Sequence, residues 1–337
     1  MGEPTATPDI TVLVATRNRA HELPHALESL ARQETGGRFT YEVLVADNGS
    51  TDGTKPLVER LRATYPVALR YLFEGRAGKP WALNAGLKDA RGTVVAFTDD
   101  DIEADPGWLA ALWRCFADTG ADAVGGKIVP RWTSGCPGWV TEPFVFGALG
   151  CVDHGPRRLT STPEDYHYWV GGNAAIRREV AAAVGGFSTR LTRGEDTEYG
   201  MRCLRRGKTL VYEPSAVTYH RIGPERLTPA FFRRWWHQHG HYRAYRSAWR
   251  LPHLLTVVPA GWYAESCRRL AQWALAMLTA RPFSERLLRE VRVRERASEW
   301  AQRVRLLPAV WRVALARGTK MLANAPSYTE LYPETSS

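Results

Sequence analysis

Residues 93–101, Thr-Val-Val-Ala-Phe-Thr-Asp-Asp-Asp, decide how this chain is read. The run from Thr93 to Phe97 has the length and the β-branched, aromatic content of a buried strand, and it ends in three consecutive carboxylates. Adjacent like charges at a strand's mouth are costly unless something positive lies between them. Hard cations such as Mg²⁺ and Mn²⁺ take oxygen ligands and commonly bridge one or two carboxylates to a substrate's phosphates. Asp99, Asp100 and Asp101 therefore read as a place for a metal-held nucleotide at a strand's carboxyl end. The simpler reading is an acidic turn, with Asp101 or Asp105 capping the segment that starts near Pro106.

Outward from this stretch, apolar runs alternate with amphipathic ones through the first 130 residues, the pattern of βαβ units around a mostly parallel sheet. Strands are expected at 10–16, 41–47, 68–73, 93–98 and 123–129, with helices at 23–32, 55–64, 80–90 and 107–119. Ser50, Thr51 and Asp52 supply N-cap chemistry for the second helix, and Pro106 stands near the first turn of the fourth. Between 131 and 168 the periodicity fades into a Trp-, Pro- and Gly-bearing insertion. Regularity resumes with Gly171-Gly172-Asn173 leading into a helix at 177–184, a second helix at 196–206, and short strands at 211–213 and 217–220. After Pro224 the chain reads as helical and basic to about 317, with a disordered tail.

At 337 residues the chain suffices for one large domain with an appendage, and its net charge of +10 is concentrated between 221 and 317. Such a bias favours anionic partners: a phosphorylated substrate, lipid head groups or nucleic acid. Five scattered cysteines with no CxxC pair suggest a reducing compartment rather than a disulfide scaffold or zinc site. The polar start, MGEPTATPD, and the short apolar stretch after it do not read as a signal peptide, and no window approaches the length needed to span a bilayer.

Ligands of open parallel sheets bind outside the carboxyl ends of the strands, and here those ends are conspicuously polar. Strand one ends in Thr16-Arg17-Asn18, strand two in Asp47-Asn48-Gly49-Ser50, and strand four in the aspartate triplet. Turn chemistry explains each singly. It explains less well why the third loop supplies cations, Arg76 and Lys79, where the fourth supplies anions; a diphosphate with its metal accounts for both.

Taken together, VLVATRNR, YEVLVADNGSTDGT, GRAGKPWALNAGL, AFTDDD, GGNAAIRREV, GGF and GEDTEYGMRCLRRG resemble, in order and spacing, the family 2 glycosyltransferases, nucleotide-sugar enzymes of the GT-A fold. The resemblance covers residues 10 to about 225. It implies an α/β, Rossmann-like, mostly parallel central sheet with flanking helices, carrying a helical C-terminal extension. The expected division is a disordered N-terminus at 1–9, a catalytic domain at 10–224 with nucleotide-binding (10–130) and acceptor (131–224) halves, a basic helical region at 225–320, and a tail at 321–337.

The resemblance implies roles residue by residue. Asp47 contacts the nucleobase, Thr16, Arg17 and Asn18 line the nucleotide pocket, and Arg76 and Lys79 lie near the base or diphosphate. The triplet is the family's metal-binding DXD motif for Mn²⁺ or Mg²⁺, with Asp99 and Asp101 as ligands and Asp100 nearer the donor sugar. Gly172 and Asn173 belong to a loop that approaches that sugar. Glu195-Asp196 matches the family's ED motif, whose aspartate is the general base, and His220 is a further candidate for the metal, with Arg226 a candidate for the diphosphate. A carboxylate at 47 is compatible with uracil or thymine, which both offer an imide N–H, so UDP or dTDP is favoured. The implied reaction is an inverting transfer of a sugar to a hydroxyl on a saccharide, lipid-linked or small-molecule acceptor in polysaccharide or glycoconjugate biosynthesis. A cytoplasmic enzyme, peripheral at the inner face of the membrane, is expected.

Other readings stay open at this point. A sugar-phosphate nucleotidyltransferase would need a Gly-rich phosphate loop after strand one, which Thr16-Arg17-Asn18-Arg19 is not. A binding module for nucleotide sugar or glycan would have no need of Asp99, Asp101 and Asp196 together. His237-Gln238-His239-Gly240-His241 reads as a solvated patch, because Gly240 weakens the helix and no carboxylate accompanies the histidines. The run 231–250 interleaves Arg with Trp and Tyr, as a membrane-surface helix or a snorkelling core stripe would; nucleic acid is not expected.

Overall fold

The computed structural model describes residues 7–162, 165–167, 169–191, 193–248 and 260–317, and side chains throughout these except at 245–248 and 306–317. The expected tail at 321–337, most of the N-terminal segment at 1–9 and the end of the 231–250 run lie outside the described residues.

Strands β1 (Ile10–Thr16), β2 (Tyr41–Asp47), β3 (Ala68–Phe73) and β4 (Val94–Asp99) are parallel and connected by helices α1 (Leu23–Ala31), α2 (Thr54–Arg62) and α3 (Lys79–Asp89). There follow β5 (Ile102–Ala104), α4 (Trp108–Thr119), β6 (Ala123–Trp132), α5 (Glu142–Ala148), β7 (Leu159–Thr160), β8 (Ala174–Arg177), α6 (Arg178–Val184), α7 (Glu195–Arg205) and β9 (Leu210–Ile222). All nine strands join one sheet in the order β3-β2-β1-β4-β8-β6-β9-β5, with β7 beside β9. Every residue of β1 and β2 is buried, as expected of central parallel strands covered on both faces. Alternation sends Val12, Val14, Val43 and Val45 to one core with Trp108 and Leu112, and Leu13, Leu44 and Phe97 to a second core with Trp169, Phe187 and Tyr199.

The expected strands at 10–16, 41–47 and 68–73 and the four early helices match the structure to within two residues at each end. Three features depart from expectation. Residues 174–177 form a strand, not the run-in to a helix, and β8 lies antiparallel between β4 and β6. Four residues are too few for a period to declare itself, and the strand exists because two neighbours need a partner between them. The two short strands expected at 211–213 and 217–220 are one strand, β9, interrupted by a bulge: Gly126 pairs with Glu213, but Lys127 pairs with Val217. The short β5, directly after the aspartate triplet, was not expected and pairs antiparallel with β9.

Asn173 plugs the bulge. Its Nδ2 donates to the carbonyls of Lys127 (2.9 Å) and Ala216 (2.8 Å), and its Oδ1 accepts the Trp108 indole N–H at 2.8 Å. The side chain is buried and committed to the protein's own groups, so Asn173 holds the loop in place through its side chain. Gly126 has no room for a side chain, since a Cβ there would lie 2.2 Å from the Ala216 carbonyl oxygen.

The chain divides into two compact units, one reaching to Gly135 and including Val145–Gly223, the other made of Cys136–Phe144 and everything from Pro224 on. In the second, α8 (Pro229–Ala248), α9 (Ala260–Leu278) and α10 (Phe283–Arg317) follow a 3-10 turn at Pro224–Arg226 that carries Arg226. Residues 136–144 belong here because Trp139 packs edge-on against Phe144, Phe232 and Phe283, with ring centroids 5.5 to 5.9 Å apart. The expected weakening of the helix at Gly240 does not occur. Gly240 is where α8 and α10 approach most closely, a Cβ there lying 2.3 Å from the Glu295 carbonyl oxygen, and α8 runs through it. The histidines also have the carboxylate the sequence seemed to lack, for His239 Nδ1 lies 2.6 Å from Glu295 Oε1. Much of the basic charge is paired internally, Arg233 with Glu290 and Arg243 with Glu299.

Replacing Gly126 with alanine forces backbone to move at the bulge and is expected to destabilise the protein by about 3 kcal/mol. Urea denaturation measures this; an unchanged midpoint would show that the bulge is not closely packed.

Candidate active site

Strands β1 and β4 are neighbours at the point where the sheet order reverses, and their carboxyl ends open a crevice. There the three aspartates part company. Asp99 forms an ion pair with Lys79, the first residue of α3. Asp100 Oδ2 accepts the Thr16 hydroxyl at 2.7 Å and stands 3.8 Å from Arg19. Asp101 meets Arg19 at 3.3 Å, and its Oδ1 lies 3.7 Å from His220 Nε2. His220 arrives because β5, the strand grown from the triplet, pairs Ile102 with His220 of β9. Arg221 secures the pairing, its guanidinium reaching Glu22 (3.1 Å) and Glu103 (2.8 Å).

The general-base candidate comes to the same place. Gly194 in left-handed conformation precedes α7, so Asp196 lies inside the first turn, not at the cap. Its Oδ1 accepts the Thr197 N–H at 2.6 Å and its Oδ2 the Gly171 N–H at 3.1 Å. The Gly171 Cα stands beside both groups, an ideal Cβ there lying 3.9 Å from Asp196 Oδ2 and from Lys79 Nζ, so an acid and an ammonium share one wall of the crevice. An aromatic stack underlies the arrangement: Phe187 on Tyr199 at 4.3 Å, Trp169 on Tyr199 at 5.5 Å, and Phe97 edge-on to Trp169 at 5.5 Å. It ties the end of β4, the loop at 169–173 and α7 into one rigid block. Gly172 accepts the Thr98 hydroxyl through its carbonyl and packs against Ile102 and Ile128.

Crowded carboxylates in a partly dry crevice are hard to ionise together. Burial, and then the charge of Asp101, pushes Asp100 up to about 7; burial, and then Asp196, does the same to Glu195. Burial alone would depress Lys79, but Asp99, Glu195 and Asp196 more than offset it and hold the ammonium above its usual range.

On the other flank, Asp47 is fully buried at the end of β2, Oδ1 accepting the Ser50 N–H (2.8 Å) and Oδ2 the Tyr71 hydroxyl (2.6 Å). Asn18, at φ +52, receives the Thr51 N–H on its Oδ1 at 2.7 Å and joins the first loop to the second. Arg17 is exposed beside it. Arg76 does not extend alone toward a ligand: it makes a two-pronged pair with Glu74 (2.9 and 2.7 Å) and lies 4.0 Å over the Trp81 ring. Sequence reasoning missed four residues here. Asn48 accepts the Gly78 N–H and donates to the Arg76 carbonyl, Tyr71 orients Asp47, Glu74 holds Arg76, and Arg19 bridges two aspartates. Asn48 stands inside a quoted motif and was open to notice; Tyr71 is half-buried mid-strand and carries no local signal.

Among the described residues no three His, Cys, Asp or Glu side chains gather as a ready metal cluster. The donor set nevertheless fits a hard cation that keeps waters and phosphate oxygens. His220 Nδ1 lies 2.7 Å from the Leu149 carbonyl, which only accepts, so Nδ1 carries a proton and Nε2 is the nitrogen that faces Asp101. An imidazole nitrogen and a carboxylate oxygen 3.7 Å apart form a pair that a divalent ion could take as ligands. Asp99, the other aspartate expected as a ligand, is paired with Lys79.

Because the folded-state pKa of Glu195 is raised, its burial costs stability as pH rises through about 4.5 to 7 and costs nothing below that window. Glu195→Gln should therefore raise the melting temperature relative to wild type at pH 8, with the advantage disappearing near pH 4. An advantage independent of pH would mean that the carboxyl is not held out of water.

Residues 11–185, more than half of the 337, match the family described as Glycosyl transferase family 2. The succinoglycan biosynthesis protein ExoM of Rhizobium meliloti (strain 1021) is 30% identical over 233 residues, covering 68% of this chain and 72% of that protein. The structure of the mannosyltransferase PcManGT from Pyrobaculum calidifontis in complex with GDP-Man and Mn²⁺ superposes with a TM-score of 0.54 at 24% identity, over 95% of this chain and 85% of that one. S. aureus TarS 1-349 in complex with UDP superposes with a TM-score of 0.52 at 18% identity, over 90% and 91%. The reversed sheet order, the acid-lined crevice and the match across the first unit agree, and the chain belongs to glycosyl transferase family 2.

Proposed function

We propose that this glycosyltransferase moves a sugar from a nucleoside diphosphate donor to an acceptor hydroxyl by a single displacement that inverts the anomeric centre. The observation that carries this reading is the meeting of Lys79, Asp99, Gly171 and Asp196: the anionic end of β4, a cation for the diphosphate and a base candidate share one pocket wall. Asp47, with Asn18 and Thr16, faces the nucleoside side, and Lys79 offsets charge on the diphosphate. Asp101 and His220 would hold a divalent ion, which when bound neutralises charge growing on the leaving diphosphate. Asp196, with both oxygens anchored by backbone N–H groups, is aimed to take the acceptor's proton through a remaining lone pair.

Asp47 supports a uracil or thymine donor through the imide N–H. Guanine also offers N–H donors on its pairing edge, and PcManGT is seen with GDP-Man while TarS is seen with UDP. The acceptor is proposed to be a saccharide of polysaccharide or glycoconjugate assembly, in line with the succinoglycan role named for ExoM.

A thermal-shift panel of UDP, dTDP, GDP and CDP with Mn²⁺ tests the donor side, UDP or dTDP being expected to stabilise most. A shift with GDP alone would overturn the base assignment, and no shift with any would overturn the nucleotide reading. Asp196→Asn is expected to lower transfer about 10³-fold while leaving the nucleotide Kd within about threefold. Glu195 is the second candidate because its pKa of about 7 suits a base; Glu195→Gln losing as much transfer as Asp196→Asn would move the role there. His220→Ala should raise the Mn²⁺ needed for half-maximal activity about tenfold.

A further inference from the structure

Helix α9 turns its apolar side to solvent. Tyr263, Cys267, Leu270, Ala274, Met277 and Leu278 recur at the spacing of one helical face, and all are exposed, Leu278 to 85% and Met277 to 54%. The opposite face is the packed one: it carries buried Ala276, half-buried Trp262 and Trp273, and the ion-paired Arg269. A surface helix in water keeps its solvent side polar. Single exposed leucines need no explanation, but a stripe along the whole of a 19-residue helix marks a binding surface.

The charge around the stripe selects the occupant. Residues 260–317 contain twelve arginines against five glutamates and no aspartate. Of the glutamates, Glu299 is buried among Arg243, Arg296 and Arg303. Arg268, Arg281 and Arg294 keep more than half of their side-chain surface exposed. A second copy of the chain would bring the same positive surplus and be repelled. Nucleic acid would meet the arginines but has no use for an aliphatic stripe, because single strands bind by stacking on aromatic rings. A lipid surface with anionic head groups satisfies both features, the aliphatic side chains entering the acyl boundary and the arginines meeting phosphate. No helix among the described residues is long and apolar enough to cross a membrane, so α9 would lie in the interface plane.

We propose that α9 is an amphipathic surface helix that docks the protein on an anionic membrane through Leu270, Met277 and Leu278. The proposal rests on the second unit alone and stands apart from the donor reading.

Sedimentation with vesicles of equal parts phosphatidylcholine and phosphatidylglycerol tests it on the full chain. Wild type is expected to bind them, to bind pure phosphatidylcholine much less, and to lose affinity as salt is raised. The triple variant Leu270→Gln, Met277→Gln, Leu278→Gln should lose about tenfold or more in vesicle affinity. Its melting temperature should match wild type, since the three side chains are exposed; transfer to a soluble acceptor provides a second check of folding. A fluorophore on Cys267, in a Cys136→Ser background, should shift to the blue on vesicle addition. Absence of wild-type binding, or equal binding by the triple variant, overturns the proposal. A dimer in analytical ultracentrifugation that the triple variant abolishes, with no vesicle binding, would assign the stripe to a second copy instead.

Discussion

Three carboxylates at the end of one buried strand repel one another, and the architecture of the first unit is an answer to that repulsion. Each aspartate is met by groups from other elements: Asp99 by Lys79 of α3, Asp100 by Thr16 of β1, Asp100 and Asp101 together by Arg19 of the following loop, and Asp101 by His220 of β9. The chain cannot place those groups there without the parallel β1–β4 pairing and without β5 folding back on β9. Partial protonation of Asp100 and Glu195 near neutral pH is the residue of the conflict that these partners do not remove. A site left in this condition is ready to accept a ligand that brings cations with it.

Besides the ion pairs at the aspartates, the loops around the crevice are held by side chains bonding to backbone in the neighbouring loop. Asn18 takes the Thr51 amide, Asn48 takes the Gly78 amide, and Asn84 closes a two-way bond with the backbone of Phe187. Each asparagine is both donor and acceptor, so it fixes two strands of chain at once. A glycine complements them: a Cβ on Gly186 would lie 2.5 Å from Asn84 Oδ1. Motifs far apart in sequence therefore occur together because each is the other's hydrogen-bond partner.

The second unit follows a different logic. Its glutamates are few, Glu295 and Glu299 are buried, and Glu299 gathers Arg243, Arg296 and Arg303, which satisfies the acid but leaves a positive surplus outside. Tight helix crossing at Gly240 gives α8 and α10 a firm interface. Helix α9 packs against α10 with the side that carries Trp262 and presents its aliphatic side outward, the arrangement of a surface that expects company.

The sequence by itself determined the parallel half of the sheet, the place of the crevice and the identity of most residues around it. Period-two and period-3.6 patterns are local, and polar residues at strand ends stand out against apolar runs; Asp47 and Asp99 were legible for that reason, and Asp196 only through the motif it shares with the family. Tertiary structure decided what those residues touch. That Asp101 and not Asp99 faces His220, that Arg76 is bound to Glu74, that Asn173 fills a bulge, and that β8 is a strand at all depend on partners from 2 to about 120 residues away, whose pairing no local pattern encodes. The second unit shows the same limit. Periodicity marked its helices, but which face of α9 meets α10 and which meets solvent is set by how the helices pack, with Arg296 of α10 lying 5.2 Å over the Trp262 ring of α9.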